Sequence, residues 1–177
     1  LFRSSESYMN NKKILQDWGF STSKGIVICA GNYEHTTNAL VLIRELQHHG
    51  CKLAIEVWYN YNQEMPQQVQ HFLETVKVSV LNLKTHFPFN IRNKCALKVA
   101  AMYMCSFEQC LYLDACSNVL RDPSYLFEIP AYIENHALFW PDFWPLDPQT
   151  RCYQLFPDEI QPKLNSFTQE SGHLLVN

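Results

Sequence analysis

The sequence predicts an α/β fold in which a mostly parallel sheet is flanked by helices. Short β-branched runs alternate along the chain with segments of helical periodicity, which is the order of β-α-β units. The composition is that of one globular domain, with 177 residues, 47% of them hydrophobic and 18% charged. The net charge of −3 comes without a basic cluster, so nucleic acid is an improbable ligand.

The first predicted unit is a strand followed by a helix. Residues 25–31 (GIVICAG) form a β-branched run closed by glycine, which is typical of a buried parallel strand. Candidate N-cap residues follow, and Leu40, Ile43 and Leu46 then recur at helical spacing until Gly50. We therefore expect the helix to end at Gly50.

Two further strand–helix units and a fourth strand follow. Residues 52–59 (KLAIEVWY) and 78–83 predict strands, and Pro66 opens a short helix between them. Residues 92–106 contain no Gly or Pro and predict a helix that leads into a strand over 110–115. Ligands bind outside the carboxyl ends of parallel strands, where Gly31, Tyr59 and Asp114 would all lie.

The fourth strand runs into Asp114-Ala115-Cys116, and this is the most specific chemical signal in the chain. Strands that end on Asp-X-Asp hold a divalent cation against a diphosphate, because hard cations prefer oxygen ligands. Here the second acid is replaced by Cys116. A thiol is mostly protonated at neutral pH and its thiolate is soft, so we expect weak binding of Mn²⁺ or Mg²⁺. Asp114 could alternatively cap the next turn.

The seven cysteines do not predict a structural metal site. They contain no Cys-X-X-Cys pair, and most of them lie in apolar runs as small buried side chains. The chain starts at Leu1 and stops after a strand-like run, so we expect it to be a piece of a longer protein, incomplete at the C-terminus.

Several separate stretches together resemble one enzyme family. The stretches are residues 25–32, 55–59 (IEVWY), 98–107, 113–117 (LDACS), 121–123 (RDP), 136–142 (HALFWPD) and 170–173 (ESGH). In these stretches the chain is similar to the Golgi α-mannosyltransferases that extend N-glycan outer chains, the α-1,2 and α-1,3 enzymes of the family 71 type. Those enzymes are type II membrane proteins with a GT-A fold. The chain departs from the family pattern at Cys116, Ser117, His136 and His173.

The resemblance implies a GT-A-like, Rossmann-like nucleotide-sugar-binding domain over residues 24–177, preceded by a lead-in over 1–23. The implied reaction transfers mannose from GDP-mannose, or another nucleotide sugar, to a glycan acceptor in protein glycosylation. The cofactor would be a divalent cation, Mn²⁺ or Mg²⁺, with its binding weakened or lost. The implied location is the Golgi lumen, with a membrane anchor outside this chain.

The resemblance also assigns candidate site residues. The implied catalytic residues are Asp142 and Glu170, and the metal residues would be Asp114 and the degenerate position Cys116. The implied donor-binding residues are Gly31, Glu56, Lys98, Asp114, Ser171 and Gly172.

Each candidate has a structural alternative. Lys98 could be a surface lysine on an apolar helix, and Glu56 could form a structural ion pair. The aromatic block of residues 139–144 predicts a loop on the sugar side of the site, or else core. Residues 170–172 could simply be a turn that enters the last strand. For the whole chain, the alternative is a non-catalytic nucleotide-sugar-binding relative.

Overall fold

The computed structural model describes residues 6–60, 65–86, 94–145 and 167–177. In this part of the chain, the first half contains α1 (Glu6–Asp17), β1 (Lys24–Cys29), α2 (Tyr33–His48), β2 (Ala54–Tyr59), α3 (Gln67–Thr75), β3 (Val78–Asn82) and α4 (Leu83–His86). The second half contains α5 (Lys94–Met104), β4 (Gln109–Asp114), a 3₁₀ helix (Pro123–Glu128), α6 (Pro130–Asn135), β5 (Ala137–Pro145) and β6 (Phe167–Val176). None of the helices described here is long and apolar enough to cross a membrane.

The described strands form one six-stranded sheet in the order β3-β2-β1-β4-β6-β5. Strands β1 to β4 are parallel, whereas β6 runs antiparallel to β4, and β5 runs antiparallel to β6. This confirms the predicted α/β class with a mostly parallel sheet. Cys29 and Asp114 are paired at the carboxyl ends of β1 and β4, so these two strand ends lie side by side.

The two faces of the sheet bury two apolar clusters. Alternation along β1 sends Ile26 and Ile28 to the face covered by α2, and Val27 to the face covered by α1 and α5. Leu46 of α2 and Met104 of α5 are fully buried on their respective sides. A parallel sheet covered on both faces is the expected environment for such continuous apolar strands.

A close approach fixes α5 and β4 against β1. A Cβ atom at Gly25 would lie 2.3 Å from the ring of Phe107, a side chain that is itself buried. Only glycine leaves room for that ring beside β1. This packing sets the position of the segment that enters β4.

Helix α1 is an element that the sequence did not predict, because residues 1–23 were expected to be a lead-in. Leu15 of α1 is fully buried in the cluster on the α5 side, and Asn11 is also buried. The boundary at residue 23 stays a prediction, but α1 contributes directly to the packing of the sheet.

The aromatic block of residues 139–144 is part of β5, so the prediction of a loop was wrong. The block is not core either, since Phe143 is 93% exposed and Trp144 is 72% exposed. Its prolines suggested a loop, because proline has no backbone N–H to donate within a sheet. However, β5 is an edge strand, where a missing backbone donor is tolerated. The pairing with β6 is irregular near Pro141 and Pro145.

Strand β6 likewise includes residues that could have been a turn. Glu170, Ser171 and Gly172 lie within the strand, ahead of the residues that pair with β4. They therefore approach β4 in an extended conformation.

The residue before β5, His136, adopts the left-handed conformation, with φ of 56°. It terminates α6, a place where glycine is usual. This is one of the positions at which the sequence departs from the pattern of the family it resembles.

Candidate functional site

A cavity of about 180 Å³ opens at the carboxyl ends of β1 and β4. The chain leaves β1 towards β2 on one side, while β4 lies on the other side, which makes this a topological switch point. The cavity is lined by Cys29, Ala30, His35, Leu97, Lys98, Tyr112, Asp114, Ala115 and Cys116.

Local structure places these side chains. The Asn32 side chain caps α2 by accepting a hydrogen bond of 2.7 Å from the His35 backbone N–H, so α2 begins beside the cavity. Strand β4 alternates, and it therefore turns Tyr112 and Asp114 to the same face. Helix α5 packs on that face and carries Lys98.

The centre of the site is an ion pair between Lys98 and Asp114. The Lys98 Nζ atom lies 2.8 Å from Asp114 Oδ2, and the two side chains are 20% and 29% exposed. Lys98 Nζ also donates to the backbone oxygen of Ser171 at 3.3 Å and to Ser171 Oγ at 3.4 Å. Lys98 thus connects α5 with β4 and β6.

The second carboxylate oxygen of Asp114 is held by Tyr112. The Tyr112 hydroxyl donates to Asp114 Oδ1 at 2.5 Å. Burial raises the pKa of Tyr112 above its ordinary value, and the neighbouring Cys29 and Asp114 raise it further. Tyr112 is therefore a neutral donor. Its ring also lies 5.5 Å from Lys98 Nζ.

Strand β6 brings a second carboxylate to the same place. Glu170 Oε1 accepts a hydrogen bond of 2.6 Å from the Gly172 backbone N–H. A Cβ atom at Gly172 would lie 3.0 Å from Glu170 Oε1 and 3.4 Å from Asp114 Oδ2. The absence of a side chain at Gly172 therefore lets both acids lie beside this strand.

Several predicted site residues are thus brought together. Lys98, Asp114 and Cys116 line the cavity, and Ser171 contacts Lys98. Glu170 and Gly172 adjoin this group. Gly31 is buried directly after Ala30, which lines the cavity. Their roles in binding or catalysis stay predictions.

Glu56 lies elsewhere, fully buried in the middle of β2. Its Oε1 accepts from Asn11 Nδ2 at 2.7 Å and from the Ser106 backbone N–H at 3.1 Å. Its Oε2 accepts from Trp58 Nε1 at 2.8 Å. These partners are neutral, so hydrogen bonds replace the ion pair that was weighed for Glu56. The structure does not bring Glu56 to the cavity.

Asp142 is not one of the residues that line the cavity. It is half-buried on β5, where its Oδ1 accepts a hydrogen bond of 2.6 Å from the Phe143 backbone N–H. Glu170 adjoins Asp114 through Gly172, while Asp142 directly follows Pro141, which pairs with Gln169 on the neighbouring strand β6.

The residues present do not fit a divalent cation of the Mn²⁺ or Mg²⁺ type. Both oxygens of Asp114 already accept hydrogen bonds, from Lys98 and from Tyr112. The other half of the motif is the exposed thiol of Cys116. Within the described ranges, no group of three or more His, Cys, Asp or Glu side chains could hold a metal ion.

The sequence did not single out Tyr112, His35 or Cys29 as residues of the site. Tyr112 had a usable signal, because a residue two positions before a strand-end acid lies on the same face. The place of Cys29 in the site depends on the pairing of β1 with β4, and the sequence does not show this pairing. Burial raises the pKa of the Cys29 thiol to about 12, so it stays protonated.

The sequence comparison identifies the family of this fold and site. The model of the Mannosyl_trans3 family of mannosyltransferases matches residues 23–175. The chain belongs to this family. This confirms the resemblance that the motifs indicated.

Two curated members illustrate the relationship. The chain is 28% identical over 147 residues to alpha-1,2-mannosyltransferase MNN24 of Candida albicans, covering 81% of this chain and 21% of that protein. It is 27% identical over 139 residues to alpha-1,2-mannosyltransferase MNN5 of Saccharomyces cerevisiae, covering 71% and 22%. The chain therefore spans about a fifth of the length of these mannosyltransferases.

Solved glycosyltransferases share the fold. The bifunctional glycosyltransferase WbbM superimposes with a TM-score of 0.63 at 12% identity, covering 89% of this chain and 32% of WbbM. The galactosyltransferase LgtC, solved with donor and acceptor sugar analogs, gives a TM-score of 0.59 at 14% identity, covering 86% and 57%. These likenesses confirm the GT-A-like fold of this mannosyltransferase family member.

Proposed function

We propose that the chain forms the donor-binding part of an α-mannosyltransferase that transfers mannose from GDP-mannose to a glycan acceptor. The observation that carries this proposal is the Lys98–Asp114 pair at the switch point, with Ser171 in contact and Gly172 beside it. A cation beside acids at the carboxyl ends of parallel strands is suited to a phosphorylated ligand with sugar hydroxyls.

The size of the cavity supports binding of one part of the donor. A cavity of about 180 Å³ is smaller than the roughly 300–1,000 Å³ of typical small-molecule sites. It would therefore hold the region around the ribose and the diphosphate. The base and the mannose would extend beyond it.

Each residue of the site has its own role in the proposed reaction. Lys98 is placed to contact the diphosphate, and Asp114 to accept a hydrogen bond from a ribose hydroxyl. Glu170 is held by the Gly172 backbone N–H, which fixes its carboxylate beside Asp114. We assign Glu170 to the positioning of the transferred mannose, and Asp142 on the edge strand to the acceptor.

The chemical demand of the transfer is electrostatic. Negative charge develops on the departing nucleoside diphosphate, and a fixed positive group stabilises that charge. In this site the fixed positive group is the Lys98 ammonium. The location we propose is the lumen of the Golgi, with the membrane anchor and the rest of the catalytic domain outside this chain.

The test is a transfer assay with labelled GDP-mannose and a mannose-terminated glycan, using the full-length protein. Lys98→Met retains the length of the side chain but removes its charge, and should reduce transfer at least tenfold. Lys52→Met, at an exposed lysine away from the cavity, is the matched control and should retain transfer. Equal activities of the two variants would contradict the assignment of the site.

The second candidate function is a nucleotide-sugar-binding relative without catalysis. Cys116 favours it, because a thiol replaces an acid at the strand end. This candidate predicts that GDP-mannose binds but that no mannose is transferred to any glycan offered. Measured turnover by the full-length protein would exclude it.

A further inference from the structure

We infer that this site binds the diphosphate of its nucleotide sugar without a divalent cation, and that the Lys98 ammonium supplies the positive charge in its place. The inference rests on the proposed function, because it concerns how the donor is held. It departs from the weakened cation site that the strand-end motif predicts.

The first reason is the positive charge that Asp114 already contacts. A carboxylate that binds Mg²⁺ presents an oxygen to it at about 2.0–2.1 Å. The Oδ2 atom is instead 2.8 Å from a lysine ammonium, and Oδ1 is 2.5 Å from the Tyr112 hydroxyl. A cation bound to Asp114 would therefore lie beside a like charge that is already in contact with it.

The second reason is the chemistry of the thiols in the cavity. Cys116 occupies the position of the second acid, and Cys29 is the register partner of Asp114. Thiol sulfur suits soft metals, whereas diphosphates are usually held by hard ones.

The third reason is the geometry of Lys98. An ammonium group has three donors, and the contact with Asp114 uses one of them. The two contacts with Ser171 are long, at 3.3 and 3.4 Å, and one shared donor can serve both. Lys98 is 20% exposed, so a third donor remains for a phosphate oxygen.

Tyr112 makes this arrangement stable. Its hydroxyl donates to Asp114 Oδ1, which leaves Oδ2 directed at Lys98. Its ring lies 5.5 Å from the ammonium and favours a positive charge there. The cationic group is thus positioned before the ligand binds, as electrostatic stabilisation requires.

The test measures binding of GDP-mannose to the full-length protein by calorimetry, once in excess EDTA and once in millimolar Mn²⁺. The dissociation constants should agree within about twofold in the two buffers, because a bound cation would otherwise change the affinity by the roughly five- to 150-fold typical of coupled ligands. Binding that is lost in EDTA and restored by Mn²⁺ would overturn the inference and leave the proposed function standing.

Variants of Lys98 test whether its ammonium group supplies the positive charge in place of a divalent cation. Lys98→Met should weaken binding of GDP roughly 10- to 100-fold, the range for a lost charged hydrogen bond, while binding of uncharged guanosine should change little. Lys98→Arg should retain most of the GDP affinity. An equal loss for GDP and guanosine would show a merely structural role and overturn the inference.

A gain-of-function variant completes the test. Cys116→Asp restores an oxygen ligand, so Mn²⁺ should now strengthen GDP-mannose binding in this variant although it does not in the unaltered protein. If the unaltered protein itself responds to Mn²⁺, the inference is overturned. If the unaltered protein binds no GDP-mannose in any buffer, both the proposed function and the inference fail.

Discussion

Two acids on the same sheet have similar hydrogen-bond partners nearby in the sequence but differ in their exposure to solvent. Glu56 on β2 accepts a hydrogen bond from Trp58, and Asp114 on β4 accepts one from Tyr112, in each case from an aromatic residue two positions away. Glu56 is fully buried among neutral donors, whereas Asp114 is 29% exposed and paired with Lys98.

The difference follows from their positions along the strands. Glu56 pairs with Val27 and Ser79 in the middle of the sheet, where helices cover both faces. Asp114 is the last residue of β4, where the covering ends and the cavity opens. The acid in the middle of β2 is therefore enclosed by the fold, whereas the acid at the carboxyl end of β4 is available to a ligand.

The largest expected effect is on stability, from Glu56→Ala. Removing this carboxylate leaves Asn11 Nδ2, Trp58 Nε1 and the Ser106 N–H with unmet hydrogen bonds in a buried region. We expect a loss of about 3 kcal/mol in the free energy of unfolding, measured with urea. The matched variant Asp114→Ala should lose about 1 kcal/mol, because water can reach its partners. The reverse order would contradict the comparison.

The second prediction concerns pH. Burial raises the pKa of Glu56 above its ordinary value, although its hydrogen bonds with Ser106 and Trp58 lower it in part. A carboxyl with a raised pKa in the folded state contributes its full stability below the unfolded pKa and loses it as pH rises through the folded pKa. The slope cannot exceed about 1.4 kcal/mol per pH unit for one group.

The measurement is the free energy of unfolding against pH for the unaltered protein and for Glu56→Gln. Glutamine does not titrate, so the stability of the unaltered protein relative to this variant should decrease as pH rises from the ordinary glutamate range. Parallel curves for the two proteins would show that Glu56 has the same pKa folded and unfolded.

A smaller effect is expected from Gly172→Ala at the ligand end of the sheet. The added Cβ would crowd Glu170 Oε1 at 3.0 Å and approach Asp114 Oδ2 at 3.4 Å. We expect a stability loss of about 1 kcal/mol and a several-fold weaker binding of GDP-mannose. Gln169→Ala, at an exposed position of the same strand, is the matched control and should retain binding. Unchanged binding of GDP-mannose by Gly172→Ala would show that β6 does not contribute to the donor site.

The smallest effect on stability should come from Asp142→Asn on the edge strand. Its hydrogen bond is to the adjacent Phe143 N–H, and an amide oxygen can accept the same bond. We expect a change within about 0.5 kcal/mol in the free energy of unfolding and unchanged donor binding. Transfer to the glycan acceptor should nevertheless fall. An altered affinity for GDP-mannose would indicate that Asp142 acts in binding the donor and not the acceptor.

The order of the elements could be predicted from the sequence because its signals are local. Periodicity and capping residues predicted a helix that ends at Gly50 and a strand over residues 110–115, which the structure places at Tyr33–His48 and Gln109–Asp114. The edge strand β5 was missed because its prolines are typical of loops, and only its place at the end of the sheet makes them tolerable.

Helix α1 was missed for a related reason. Its buried positions include polar Asn11 as well as Leu15, so no continuous apolar stripe marks a helix against the core. Asn11 is buried because Glu56, Ser79 and Ser106 supply partners from distant segments. The sequence pattern shows none of these contacts.

The sequence by itself determined the family, the α/β order and the substitution of Cys116 for an acid. Only the tertiary structure decided which acid is accessible to a ligand and which side chains already contact that acid. The reason is that the partners are distant in the chain: Lys98 lies 16 residues from Asp114 and 73 from Ser171, and Asn11 lies 45 from Glu56. Such contacts depend on how β4, β6 and α5 pack together, which no local pattern specifies.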